Sequence, residues 1–463
     1  MKIAVPRMGN LPLIIRDLAR RFDLEYIETP PFSERTVEIG AALAPEFACF
    51  PLKAVLGSFV QVLEAGADTL VMGGGHGPCR FGSYGEVQKR ILEREGYSFK
   101  MLILDSPSTS LKDFHEGLRS LLPRQRVRLP VLLRELWRVL CKVVVFDEVE
   151  KWALELRGLE VEPGAVDAAL EDSRGIISRA FSTKEIKEAR GEALSRFAVV
   201  PIDRERVHLE VGLVGEIFIV LEPYFNFDIE SWLGRRGAVV ERSVSISDTV
   251  YPGGRNPVFG YSDRIVAKAA APYLSHEVGG DGLLTVGAAT IFARRGFDAV
   301  VHLLPFTCMP EVIAKGVLAR MSSELDIPVL SLSIDEQTGR AGVQTRLEAL
   351  LDLAWSRKRK DKTAGTAAIE EGGWKVEDKA LKAAQQGREK ARLQGDGGGR
   401  KRPFLLEAGP DHWSPGQGAV ADHATARAGV VRGAESLRGA APRQLGHRLA
   451  SGRLRAPRGR TPT

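Results

Sequence analysis

Short apolar runs alternate with stretches of helical periodicity over the first 122 residues. The runs 1-MKIAV-5, 69-TLVMG-73 and 101-MLILD-105 read as strands, and 53-KAVLGSFVQVLEAG-66 carries helical spacing between them. From 123 to 205 the spacing is helical throughout, as in 131-VLLRELWRVLCKVVVFDEVEKWALEL-156. Alternation returns over 206–355, with strands expected at 208-HLEVGLVGEIFIV-220, 298-DAVVHLLP-305 and 328-PVLSLSI-334 and helices at 311–325 and 345–355. Strands separated by helices predict parallel sheets with helical cover. The expected architecture is therefore α/β: two parallel-sheet units of Rossmann or flavodoxin-like kind, 1–122 and 206–355, joined by a helical region at 123–205.

The pattern ends near Ser356. Isoleucine disappears after Ile369, and Gly, Ala, Arg and Gln dominate in its place. Such a composition buries too little apolar surface to offset chain entropy, so 356–463 is expected to be a disordered, basic, low-complexity tail. Charge follows the same boundary. Of the 65 Lys and Arg and 59 Asp and Glu in the chain, 23 basic and 11 acidic residues lie from Ser356 onward, so the body is mildly acidic. The tail's arginines are scattered and lack an aromatic platform, so nucleic acid is not the expected partner; an out-of-frame extension would look much the same. No apolar run of about 18 residues is present to span a bilayer, and the chain opens on a strand-like run, so the protein is expected in the cytoplasm with no membrane partner.

Candidate chemistry gathers at the cysteines, all of which lie in the body. Cys49, Cys79, Cys141 and Cys308 have no CxxC spacing among them, and in a reducing compartment that favours free thiols, catalysis or metal over disulfides. Two segments share a pattern: 48-ACFPLKAVLGSF-59 and 307-TCMPEVIAKGVL-318 each place Cys-x-Pro ahead of a helical run. Proline suits the first helical position. Both cysteines are therefore expected just before a helix N-terminus, where the dipole and free N–H groups favour thiolate.

Cys79 stands in 73-GGGHGPCRFGSYGE-86, whose glycines and proline exclude a helix interior. It follows a strand, at the sheet edge where α/β proteins bind ligands. Three loops would thus bring Cys49, Cys79 and Cys308 into one cleft, unless each is a buried small hydrophobe. Cys141 sits on an apolar helix and reads as core. His76 is a fourth ligand, a proton donor or a loop residue satisfied by backbone, and a catalytic base at His76 or His302 stays open. The loop lacks the Lys-Ser/Thr of a P-loop, and its glycines do not open directly into a helix as a dinucleotide fingerprint requires.

The segments 49-CFPLK-53, 66-GADTLVMGGGHGPCRFGSYGE-86, 212-GLVGEIFIVLEPYFNFDIE-230, 302-HLLPFTCMPE-311 and 333-SIDEQTGRAGVQTRLEALLDL-353 together resemble the 2-hydroxyglutaryl-CoA dehydratase D-component family. Its members include 2-hydroxyacyl-CoA dehydratases, CoA protein activases and acyl-CoA dehydratase activase-related proteins. The resemblance covers nearly all of 1–355 and none of the tail.

It implies α/β domains with a helical region and a 4Fe-4S cluster held by three cysteines, which on this chain are Cys49, Cys79 and Cys308. It further implies a lyase component or ATP-coupled reductase that receives a low-potential electron from an ATP-hydrolysing activator protein. A second dehydratase-like subunit and an acyl-CoA substrate complete the implied system, in which the electron passes to the thioester. Two other functions remain: a non-catalytic electron-transfer or regulatory partner of such a system, and a zinc-stabilised small-molecule binding protein using His76. Glu216, Tyr224 and Asn226 are candidate cleft residues, or a strand end and turn. Asp335 and Glu336 are cleft candidates, or need only turn and capping chemistry.

Overall fold

The computed structural model describes residues 1–74, 79–104, 116–117, 120, 129–250 and 263–370. His76 and the 371–463 segment lie outside the described residues. Among the described residues, eight strands form two four-stranded sheets, each entirely parallel. The first contains β1 (Lys2–Ala4), β2 (Glu25–Tyr26), β3 (Thr69–Gly73) and β4 (Lys100–Leu104), in the order β2-β1-β3-β4. The second contains β5 (Leu209–Gly215), β6 (Ala238–Arg242), β7 (Ala299–Pro305) and β8 (Val329–Ile334), in the order β6-β5-β7-β8. The two orders are the same. In each, the chain reverses its direction of travel between the two central strands, which opens a crevice at their carboxyl ends.

The α/β expectation holds. One expected strand is shorter than its apolar run: β5 ends at Gly215, and Ile217–Leu221 turns into a short helix. Gly215 has φ +139°, and a Cβ there would fall 1.9 Å from the Leu303 carbonyl oxygen. Only glycine lets β5 approach β7 at this point, and the Glu216 carboxylate then caps the helix by accepting from Ile219 N–H at 3.1 Å. The final helix is longer than expected. It runs from Arg340 to Glu370, past the Ser356 boundary, and Lys358 Nζ donates to Asp298 Oδ2 and to the His208 carbonyl, both at 2.6 Å.

Helix Phe50–Glu64 lies in the main apolar core, where Val55, Leu56 and Phe59 share one cluster with Leu70 and Met72 of β3, Leu213 of β5 and Leu303 of β7. It is clamped to helix Glu34–Leu43 through bare backbone: a Cβ on Gly57 would stand 1.9 Å from the Thr36 carbonyl oxygen, and one on Gly40 the same distance from that of Lys53. The helical region supplies Leu129–Arg157, Ala165–Arg179 and Thr183–Ala198, packed around Val145, Phe146, Ile177, Ile186 and Phe197. Among the described residues, no helix is long and apolar enough to cross a membrane.

Buried charge joins that region to the second sheet. Arg242 of β6 donates to Glu150 at 2.7 Å and to Glu230 at 3.0 Å, while Arg174 and Asn10 also donate to Glu150, at 2.8 and 2.7 Å. Despite its burial, these guanidinium groups hold Glu150 down at about 2. Burial pushes its neighbours the other way, Asp147 to about 6, with the Glu150 charge adding to the effect, and Asp248 to about 7. An aspartate raised above its unfolded value of about 3.9 gives stability that is fully present below that value and lost as pH rises through the folded value. Asp248→Asn keeps an acceptor for Ser245 N–H and should remove this loss. Urea unfolding should therefore show the variant gaining stability relative to the parent between about pH 4 and about pH 7.

Candidate functional site

Cys49, Cys79 and Cys308 are each the residue immediately before a helical turn. Cys49 caps Phe50–Glu64, Cys79 caps the 3-10 turn Arg80–Ser83 that leads into helix Tyr84–Arg94, and Cys308 caps Met309–Glu324. Pro51 and Pro310 occupy the second helical residue, one place later than the sequence suggests. The shared Cys-x-Pro pattern is also not a structural repeat. Cys308 follows central strand β7, as Cys79 follows β3, whereas Cys49 follows helix Glu34–Leu43 and precedes β3.

Two of the three thiols meet across the two halves, and the third lies near them. Cys49 and Cys308 are both buried in the main core and are hydrogen-bond partners of one another. Tyr84 is a further hydrogen-bond partner of Cys49, and the Cys49 charge acts on Cys79. Further contacts seal the rim. Arg80 Nη1 and Thr307 Oγ1 donate to the Phe47 carbonyl oxygen at 3.1 and 3.4 Å, which ties the three cysteine-bearing segments together.

The thiols differ in acidity. The hydrogen bond from Cys308 holds Cys49 below its ordinary value against burial, with help from Tyr84 and Arg80. That same hydrogen bond, followed by burial, raises Cys308, although the Glu311 N–H opposes it. Burial raises Cys79. Helix position therefore does not by itself make all three thiolates: burial outweighs the dipole at Cys79, and at Cys308 the hydrogen bond shared with Cys49, followed by burial, does so.

Two carboxylates stand beside the sulfurs. Burial raises Glu216 well above the usual range, and the charges of Cys49 and Asp281 reinforce the shift. Asp281 caps helix Gly282–Arg294 and accepts from Ile217 N–H at 3.0 Å; burial, then the Glu311 charge, pushes it to about 7. Behind Cys308, His302 Nε2 bonds Glu311 Oε2 at 2.8 Å and Nδ1 bonds Ser331 Oγ at 2.9 Å, and Thr285 Oγ1 donates to Glu311 Oε1 at 3.1 Å. Both ring nitrogens of His302 are engaged inside the core, so it is not a free base for a thiol.

The remaining candidates separate. Asn226 is structural, its amide donating to the Ile219 and Val220 carbonyls at 3.0 and 2.9 Å, and Tyr224 is exposed. Asp335 forms a turn with Thr338 and Gln337. Glu336 instead accepts from buried Lys53 at 2.5 Å, which ties the loop after β8 to the helix that starts at Cys49. Cys141 is core, its thiol raised to about 12 by burial. Sequence reading missed Tyr84, Arg80 and Asp281. The run 279-GGDG-282 before a helical pattern was the available signal for the last.

The donor chemistry fits a metal centre larger than one ion. Among the described residues, no three or more His, Cys, Asp or Glu side chains gather as a single metal ion requires. An iron–sulfur cluster makes a different demand, because each thiolate takes a different iron. Soft thiols, two of them in the apolar core and Cys79 half-buried at its edge, suit it. Gly280, with φ +48°, lies close to one of these sulfurs: a Cβ there would stand 3.5 Å from Cys79 Sγ and 3.3 Å from Pro310 Cγ.

Fold and site thus define a class, a doubled parallel-sheet α/β protein with a three-thiol cleft where the halves meet. Compared with known proteins, the chain matches no protein-family model and no curated protein. Glu336→Gln leaves the buried Lys53 ammonium without its carboxylate and should cost about 2–3 kcal/mol in urea unfolding, and Lys53→Met in the same chain should recover part of that loss.

Proposed function

We propose that the chain is a 4Fe-4S protein of the 2-hydroxyacyl-CoA dehydratase type. Cys49, Cys79 and Cys308 hold the cluster, a separate ATP-hydrolysing activator supplies the electron, and the substrate is an acyl-CoA thioester. The observation that carries this reading is the pairing of buried Cys49 and Cys308 from the two parallel-sheet units, with half-buried Cys79 near enough to feel the Cys49 charge. When bound, such a cluster supplies a one-electron donor and a Lewis-acidic iron.

The chain's own groups do the rest. The helices that start at Phe50 and Met309 put backbone N–H groups on the side of the sulfurs, and those of Phe50 and Glu311 favour the charged forms of Cys49 and Cys308. N–H groups in such positions would stabilise thiolate ligands and tune the centre they hold. Phe225 packs edge-on against Phe50 at 5.1 Å and tilted against Phe218 at 5.5 Å, in the same apolar core as Cys49. Glu216 and Asp281 place carboxyl groups next to the thiols, where a bound thioester would meet them.

Protein purified without oxygen should contain about four irons and four acid-labile sulfides per chain, with a paramagnetic signal on reduction. Cys49→Ser, Cys79→Ser and Cys308→Ser should each abolish the chromophore, and Cys141→Ser should retain it. A full cluster in any of the first three variants would refute the ligand assignment. Zinc in place of iron would favour a binding protein built on the same thiols.

A further inference from the structure

The two halves of the chain share a strand order and a helical hairpin before the third strand, although the second half carries extra short helices, and this partial repeat draws attention to a fourth group near the thiols. In each half a helical hairpin precedes the third strand: Glu34–Leu43 with Phe50–Glu64 before β3, and Asp263–Ala270 with Gly282–Arg294 before β7. Both hairpins close on a glycine. A Cβ on Gly57 would meet the Thr36 carbonyl oxygen at 1.9 Å, and one on Gly287 would meet that of Val266 at 2.2 Å. The second helix of each hairpin starts at the cleft, capped by Cys49 in the first half and Asp281 in the second. After the third strand, the next helical turn is capped by Cys79 in the first half and Cys308 in the second. Four equivalent places thus carry three thiols and one carboxylate.

Local geometry agrees with that correspondence. The neighbouring Gly280 lies against Cys79 Sγ. Asp281 Oδ2 is fixed by the Ile217 N–H at 3.0 Å, and no described residue donates to Oδ1. Asp281 keeps partial exposure in an otherwise buried setting. Glu216 is excluded from the same place, because it follows β5, whose counterpart β1 is followed by no ligand-type side chain before Arg7, and its Oε2 already caps its own helix.

We propose that Asp281 is the fourth protein ligand of the site, offering Oδ1 to the iron that the three thiols leave without a cysteine. This rests on the cluster reading above. Carboxylate oxygen is a harder donor than thiolate, so the iron it holds is the exchangeable one, and Ile217 N–H orients the group from behind as outer-shell partners do.

The test compares the parent protein with Asp281→Asn and Asp281→Cys after anaerobic reconstitution with iron and sulfide. Ferricyanide oxidation is followed by electron paramagnetic resonance of the three-iron form and by released iron. Asp281→Asn should lose its fourth iron about tenfold faster or more, and Asp281→Cys should retain it. Equal rates in the parent and Asp281→Asn would overturn the assignment while leaving the three-thiol cluster standing. No cluster in the parent would overturn both readings. A measurement on metal-free protein is independent of the cluster: mild oxidation of Asp281→Cys should cross-link the introduced thiol to Cys79, read by peptide mass mapping. Failure of that cross-link in folded protein would refute the juxtaposition itself.

Discussion

The structure depends on the burial of one helix. Phe50–Glu64 hides every residue from Phe50 to Val60, including Lys53, and is apolar on all sides as only a helix packed from all sides can be. It is therefore shared: strands of both sheets contribute side chains to the cluster that surrounds it. Backbone contact at Gly40 and Gly57 fixes its angle against the preceding helix, and the Lys53–Glu336 pair ties its first turn to the loop after β8. Its N-terminal residue, Cys49, is consequently delivered to the second half of the chain.

Once that helix is placed, duplication accounts for the rest of the site. Two sheets of the same strand order present carboxyl ends and helix starts in the same sequence of elements, so that side chains distant in sequence become neighbours. Pooling in a desolvated cleft changes their chemistry. Cys49 is held acidic by a hydrogen bond from Cys308, while Cys79, Glu216 and Asp281 resist ionising chiefly because burial penalises charge, with nearby acidic groups adding to the effect.

The rim and the scaffold are stiffened by buried polar groups. Glu311, in the first turn after Cys308, is locked by His302 and Thr285, all of them buried. Arg242 and Glu150 perform the same service between the second sheet and the helical region, which also packs against the α/β body through Ile14, Leu221 and Ile246. Each network satisfies charge inside the protein, and removing one partner leaves the other uncompensated.

The sequence by itself determined the elements whose cause is local. Apolar runs bounded by turn residues located β3, β7 and β8 to within a residue, the helical region followed from its periodicity, and Cys-x-Pro marked two helix starts. Local pattern also has limits. It could not show β2, which is two residues long and held only by its pairing with β1, nor that β5 stops at Gly215, where a close approach to Leu303 requires glycine. It gave Cys49 the same setting as Cys308, because two helix starts look alike whichever strand they serve. The partner of Glu336, the engagement of His302 and the presence of Asp281 beside the thiols were decided by tertiary structure alone. Those contacts join residues far apart in sequence, and only the packing of two duplicated sheets around one buried helix brings them together.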